Sequence, residues 1–263
     1  LLVELVINVL DPNATDNPPS ANVDIADTKI NTPVTLQTLA NDQPGNPGVP
    51  LVPSSVMVTD APSNGTTSVD PATGNIKYTP NPGFVGTDTL YYQVTDANGN
   101  VATAQQIITI LPATAPNTTS AADDYDTTPF NTPTSGSVKT NDNDAEGNTQ
   151  TITPQTTTIP GKGTLVLAAD GTYTFTPEPG FSGPVEFPYT TTDNGTTPAT
   201  AMATLHILVA PPVPDPNPDF NETYVNVPVT GDVSTNDEVP TGSTYGNPAP
   251  NPANPGTALP TIN

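Results

Sequence analysis

Tyr78-Thr-Pro-Asn-Pro-Gly-Phe-Val-Gly-Thr-Asp-Thr-Leu-Tyr-Tyr-Gln-Val-Thr-Asp96 is the most distinctive stretch of this sequence. It reads as a strand, a proline-glycine corner, a second strand and the start of a turn. Proline fixes φ at about −65° and the glycine after it bends freely, so the pair turns the chain between strands. A second copy begins 97 residues later: Phe175-Thr-Pro-Glu-Pro-Gly-Phe-Ser-Gly-Pro-Val-Glu-Phe-Pro-Tyr-Thr-Thr-Thr-Asp193. The copy keeps prolines, glycines, Phe and Tyr and changes the polar residues between them, with Pro184 and Glu186 where the first has Thr87 and Asp88. What recurs is a way of turning a corner and filling a core. The chain is a tandem repeat.

Landmarks on either side keep the same register. Asp24, Asp124 and Asp219 stand 100 and 95 residues apart. Asn31-Thr-Pro33 matches Asn131-Thr-Pro133 and, more loosely, Asn226-Val-Pro228. Asn41-Asp42, Asn141-Asp142 and Asn236-Asp237 follow in step. Within the first repeat, β-branched and alternating runs predict strands near 22–26, 34–39, 55–59, 66–69, 75–79, 88–95 and 102–110. Leu90, Tyr92 and Val94 alternate, as do Phe187 and Tyr189, which marks half-buried strands. Asp96-Ala-Asn-Gly-Asn100 and Asp193-Asn-Gly195 read as hairpin turns, because Asn-Gly accepts positive φ. Short strands separated by turn signals, with no helical period, predict an all-β chain of seven-stranded sandwiches in an extended array.

The division that follows is 1–10 as the last strand of a preceding repeat, 11–20 as linker and 21–111 as the first repeat. After these come a linker at 112–120, a second repeat at 121–209, a linker at 210–218 and the first half of a further repeat at 219–263. Leu1–Leu10 has a second reading, as a donor strand for a neighbouring molecule. The chain does not begin with Met and reads as a window of a longer protein.

Composition narrows the function. Four basic residues, all lysine, face 26 acidic ones, giving a net charge of −22. Nucleic-acid binding needs several phosphate-neutralising cations and is set aside. The 35 prolines and 19 glycines fall between the apolar runs, where turns belong, so they punctuate a fold and do not signal disorder. There is no cysteine for disulfides or metal. No apolar run is long enough to span a membrane as a helix.

The recurring text resembles the bacterial Ig-like, cadherin-like repeats of very large secreted surface adhesins. It consists of an Asp, then Asn-Thr-Pro-Val, then Asn-Asp, then Tyr-Thr-Pro-Asn-Pro-Gly-Phe-x-Gly-x-Asp, then Tyr-x-Val-x-Asp-x-Asn-Gly. The Thr/Asn/Pro-rich, arginine-free composition is similar to that of the gliding-motility adhesins of Bacteroidota, exported by the type IX route. The resemblance implies an extracellular place at the bacterial cell surface and a stalk or filament that projects an adhesive region. It implies neighbouring repeats as partners, with a surface glycan or protein ligand bound elsewhere in the full protein. Two other readings stay open: a carbohydrate- or protein-binding module, and accessory repeats of a secreted polysaccharide-degrading enzyme.

Calcium is the candidate cofactor, since it takes six to eight oxygen ligands. Asp24 and Asp27 offer oxygens near the first junction, Asp123, Asp124 and Asp126 near the second, and Asp219 near the third. The competing reading is that these residues cap turns, because no Asp-x-Asp-x-Asp-Gly loop is present. Asn41-Asp42 reads as a side-chain-to-backbone turn, and Tyr92 and Tyr189 as corner tyrosines of a sandwich. His206 is the single histidine, so a zinc site or a catalytic triad has too few parts. The chain is expected not to be an enzyme.

Overall fold

The computed structural model describes residues 17–212 apart from 47, together with two short strands near the C-terminus. Among the described residues all regular structure is β. Leu1–Leu10, Asp219 and most of the third unit lie outside the described residues. In the C-terminal unit, Tyr245–Gly246 pairs antiparallel with Thr261–Ile262.

The first repeat contains β1 (Asp24–Lys29), β2 (Val34–Leu36), β3 (Leu51–Asp60), β4 (Gly65–Val69), β5 (Ile76–Pro80), β6 (Gly86–Asp96) and β7 (Val101–Leu111). They form two sheets, ordered β1-β7-β6-β3 and β2-β5-β4. The second repeat contains β8 (Asp124–Thr128), β9 (Thr134–Ser137), β10 (Gln150–Ile152), β11 (Gln155–Ile159), β12 (Gly163–Leu167), β13 (Thr172–Pro177), β14 (Gly183–Asp193) and β15 (Thr200–Val209). Its sheets run β10-β14-β15-β8 and β11-β12-β13-β9.

The extra strand of the second repeat has a local cause. In the first repeat β3 stays on β6 throughout, but its register jumps between Val52 and Met57, around Pro53. Proline has no N–H for the ladder, so it sits at such an irregularity. In the second repeat the chain divides at Thr153-Pro154: β10 stays on β14, while β11 crosses to β12. Seven strands were expected in each repeat; the second has eight.

Strands β6 and β14 carry the same alternation of buried and open positions along all 11 residues. Their inward rows read Asp88, Leu90, Tyr92, Val94, Asp96 and Val185, Phe187, Tyr189, Thr191, Asp193. The residue in the place of Asp88 is therefore Val185; Glu186, expected there, faces outward one position on. Each repeat closes its own core, built on Ile76, Tyr78, Leu90, Tyr92, Ile108 and Ile110 in the first and Leu165, Phe175, Phe187, Leu205 and Ile207 in the second. No residue belongs to both cores.

The corner that opens each copy is stapled by another landmark. Gly83 and Gly180 adopt φ of 80° and 87°, a left-handed backbone that glycine enters without strain. The Gly83 N–H donates to Asn31 Oδ1 at 2.8 Å, and the Gly180 N–H to Asn131 Oδ1 at 2.9 Å. Both asparagines are themselves left-handed, at 61° and 55°, a conformation asparagine tolerates better than most residues. The Asn-Thr-Pro and Pro-Gly-Phe texts repeat together because one holds the other.

In both repeats the first strand runs parallel to the last, β1 with β7 and β8 with β15. The chain therefore enters a repeat at one end and leaves at the other. After Leu111 the linker turns, with the Ala115 N–H donating to the Pro112 carbonyl at 2.9 Å. Residues 120–125 then run back beside β1. The Asp27 N–H donates to Asn143 Oδ1 at 2.8 Å, Ser120 Oγ donates to Asp27 Oδ2, and Gln43 Nε2 donates to the Tyr125 carbonyl at 2.6 Å. Lys29 donates to the Ala115 carbonyl and pairs with Glu146. The sequence pattern predicts an extended array; in this pair the entry end of the second repeat, with Ser120, Tyr125, Asn143 and Glu146, rests against the β1 edge of the first.

Candidate functional site

Each repeat holds a buried acidic cluster where the first strand begins. Asp24 enters on β1, 4% exposed, and Asp42 lies beneath it, 5% exposed, on the turn after β2. Gln106 Nε2, on β7, donates to Asp24 Oδ2 at 2.9 Å. The Asn22 N–H donates to Asp42 Oδ1 at 2.8 Å, and the Tyr92 hydroxyl reaches both Asp42 oxygens at 3.0 Å. Asn41 Nδ2 donates to the Val23 carbonyl. The Asn41-Asp42 pair thus pins the incoming strand, and Tyr92 braces the pin from β6.

The second repeat rebuilds this arrangement with fewer donors. Tyr189 donates toward Asp142 Oδ1 at 3.1 Å and the Val138 and Ala122 carbonyls, and the Ala122 N–H donates to Asp142. Asn141 Nδ2 donates to the Asp123 carbonyl. The place of Gln106 is taken by Leu205, as the strand registers show.

Burial dominates the chemistry of these groups. It pushes the Asp42 carboxyl up to about 7 and Asp142 to about 7. Burial, followed by the adjacent Asp142 charge, carries Asp124 to about 8. Asp24 rises well above the usual range for the same two reasons, burial and the neighbouring Asp42. Asp24 Oδ1, Asn41 Oδ1 and Gln106 Oε1 are buried without a donor. A proton on Asp24 supplies one, so the cluster suits a carboxylic acid beside a carboxylate.

The calcium candidates do not converge. Asp24 and Asp124 face inward in the clusters just described. Asp27 lies in the contact between the repeats. Asp123, on the opposite face from Asp124, accepts from the Thr204 N–H at 2.8 Å and lies 3.7 Å from His206 Nε2. Asp126 accepts from the Tyr173 hydroxyl and from Thr134 Oγ1, both at 2.7 Å. Alternation separates Asp123 from Asp124, while Asp126, two positions past Asp124, is held by Tyr173 and Thr134. Among the described residues no three carboxylate or histidine side chains come together to hold a metal ion. These placements fall short of the six to eight oxygens calcium takes.

His206 lies on the outer face of β15, stacked on the Tyr125 ring at 4.8 Å and 3.3 Å from Glu186 Oε1. The Asp123 hydrogen bond holds its imidazole above the usual histidine range, against burial, and Glu186 adds to the effect. Asp96 and Asp193 brace their hairpins, Asp96 Oδ1 accepting from the Asn98 and Asn100 N–H groups and Asp193 Oδ1 from those of Gly195 and Ala199.

Residues 16–109 match the model of the bacterial Ig domain, and residues 113–209 that of the bacterial cadherin-like domain. The chain carries an Ig-like repeat followed by a cadherin-like repeat. A search of curated proteins finds no match. Solved structures resemble the chain distantly. An endo-fucoidan hydrolase of glycoside hydrolase family 107 aligns at 15% identity over 78% of this chain, with a TM-score of 0.30. Drosophila N-cadherin EC1-3 aligns at 14% identity over 74% of this chain and 69% of its own, with a TM-score of 0.34. A SusE-like surface located polysaccharide binding protein from Bacteroides thetaiotaomicron aligns at 13% over 73% of this chain and 33% of its own, at 0.26. The chain spans 31% of the hydrolase.

Two features of the Ig-like and cadherin-like repeats escaped the sequence reading. The partnership of each Asn-Asp pair with Tyr92 or Tyr189 was discoverable, since all members keep the repeat register. The Lys29–Glu146 pair was not, because the position of Lys29 is Pro129 in the next repeat and no recurrence marks it.

Proposed function

We propose that this chain is a spacer segment of a long bacterial cell-surface adhesin, in which the repeats set distance and a region elsewhere binds the target. The observation that carries this reading is the parallel pairing of first and last strands in both repeats. A domain whose ends lie at opposite poles adds its own length to a series. A last strand of 11 residues corresponds to about 35 Å at roughly 3.3 Å per residue. A fold that serves as length is constrained inside and free outside. The two repeats fit that: they keep their inward pattern while outward positions such as Thr89 and Glu186 differ.

The reading is non-catalytic. His206 is engaged by Asp123, Glu186 and Tyr125. It places the protein outside the cell, with neighbouring repeats as direct partners and a glycan or protein as the ligand of the distal region.

The test is replacement in the full protein on its native cell. Residues 17–209 are exchanged for two unrelated Ig-like repeats of equal length, and adhesion is measured. A spacer predicts that adhesion is retained, and that deletion without replacement lowers it. Loss of adhesion on the equal-length exchange, with surface display intact, overturns the reading in favour of binding by these repeats themselves.

A further inference from the structure

The contact of the second repeat's entry end with the β1 edge of the first is polar throughout its named bonds, while the two cores share no residue. At one end of it the Lys29 ammonium reaches the Ala115 carbonyl in the linker turn and the Glu146 carboxylate on the second repeat. Both charged side chains are largely covered, at 17% and 21% exposure. Lysine is scarce in this chain, and the others are placed differently. Lys139 and Lys162 cap the Gln150 and Pro184 carbonyls inside the second repeat, and Lys77 points outward from β5. Along the contact, Asn143 caps the Asp27 N–H on the open edge of β1, and Gln43 reaches the Tyr125 carbonyl on β8.

We propose that this contact is a reversible latch, closed by Lys29 on Glu146 and Ala115, from which the two repeats swing apart into an end-to-end arrangement. The physical argument is one of balance. Parting the repeats exchanges polar bonds for bonds to water and uncovers neither core, so the closed and open forms lie near each other in free energy. The net charge of −22 pushes acidic repeats apart, and Lys29 is the cation that opposes it at this contact. Opening frees the second repeat's entry end from the flank of the first and lets the two stand in series without breaking a strand pair. The latch concerns the pair itself and does not rest on the spacer reading.

The experiment uses the full chain, which has no cysteine to interfere. Fluorophores are attached at Ala72→Cys and Ala169→Cys, both exposed turn positions, and the distance distribution is read by single-molecule energy transfer. In low salt most molecules occupy one short-distance state. The open form is read as a second, long-distance population. Lys29→Ala shifts most molecules to that population in low salt, and Gln43→Ala, acting at the far end of the contact, shifts them in the same direction. The charge-swapped pair Lys29→Glu with Glu146→Lys recovers the short state. Circular dichroism of every variant separates opening from unfolding. The latch is refuted if the unsubstituted chain is already long in low salt, or if Lys29→Ala and Gln43→Ala, both folded, keep the short distance. Opening caused by a chelator alone refutes it too, since a metal and not Lys29 would then be holding the pair.

Discussion

Tyr78 and Asp88 change together between the copies. In the first repeat the Tyr78 hydroxyl donates to Asp88 Oδ2 at 2.9 Å, and Asp88 also accepts from the Ser63 and Asn64 N–H groups. In the second, Phe175 and Val185 occupy these places, and the N–H groups of Gly161 and Lys162 turn to Glu178 Oε2 and the Ile159 carbonyl. A buried polar pair is replaced as a unit, because removing one member strands the other. Tyr78→Phe is expected to cost about 1 kcal/mol, and Asp88→Val about 3 kcal/mol because the Ser63, Asn64 and Thr89 N–H groups and the Tyr78 hydroxyl all lose an acceptor. The double variant should cost about 1 kcal/mol less than the sum, a coupling that urea denaturation of all four proteins measures. The acidic clusters give a pH dependence whose sign is fixed. Asp42, Asp124 and Asp142 have folded values of about 7 to 8 against an ordinary value of 3.8. Between those limits the native state binds more protons than the unfolded chain, so stability falls as pH rises from about 4 and stops falling above about 8. His206, also raised, contributes stability below the ordinary imidazole range and loses it as pH rises, reinforcing the trend. At the acid end, burial pushes Asp96 and Asp193 up, but their hairpin hydrogen bonds outweigh it and hold both carboxyls low. Their contribution is present above about pH 4 and fades below it. The melting temperature should therefore peak in acidic solution, decline up to about pH 8 and level off above it, with a shallower decline in Asp42→Asn.

At the scale of elements, the corner depends on a residue 52 positions away, since Asn31 accepts the Gly83 N–H. Asn31→Gly keeps the left-handed backbone and loses the acceptor; Asn31→Ala loses both. The alanine variant should be the less stable by about 1 kcal/mol, with the glycine variant between it and the unsubstituted chain. Equal midpoints in urea for the two would show that the hydrogen bond alone matters. Most of the elements were legible in the sequence because strands announce themselves by alternation and turns by Asn-Gly or Pro-Gly. All seven expected strands of the first repeat are present. What stayed hidden was partnership across distance. The split of β10 from β11 depends on which sheet a strand chooses after Pro154, and a proline marks the break without naming the destination. The separation of Asp123 from Asp124 follows from the pleat, and Asp126 is drawn away by the Tyr173 hydroxyl and Thr134 Oγ1, partners that sequence does not name. The position of Asp88's counterpart was misread by one residue for the same reason: polar character suggested Glu186, while the inward row places Val185 there.

For the whole molecule, two cores with no common residue predict independent folding. Residues 17–111 alone should give a β-type circular dichroism spectrum and a cooperative melt, and a random-coil spectrum would show that the first repeat needs its neighbour. Each sandwich is closed on itself by its own Asn-Asp pin, its own corner staple and its own paired first and last strands. A recombination event that inserts or removes one unit of about a hundred codons, cut within the linkers, leaves every remaining interior intact. Reach can then vary between lineages by whole increments while the surrounding sequence drifts, so the number of units in such a gene is the quantity on which selection for length acts.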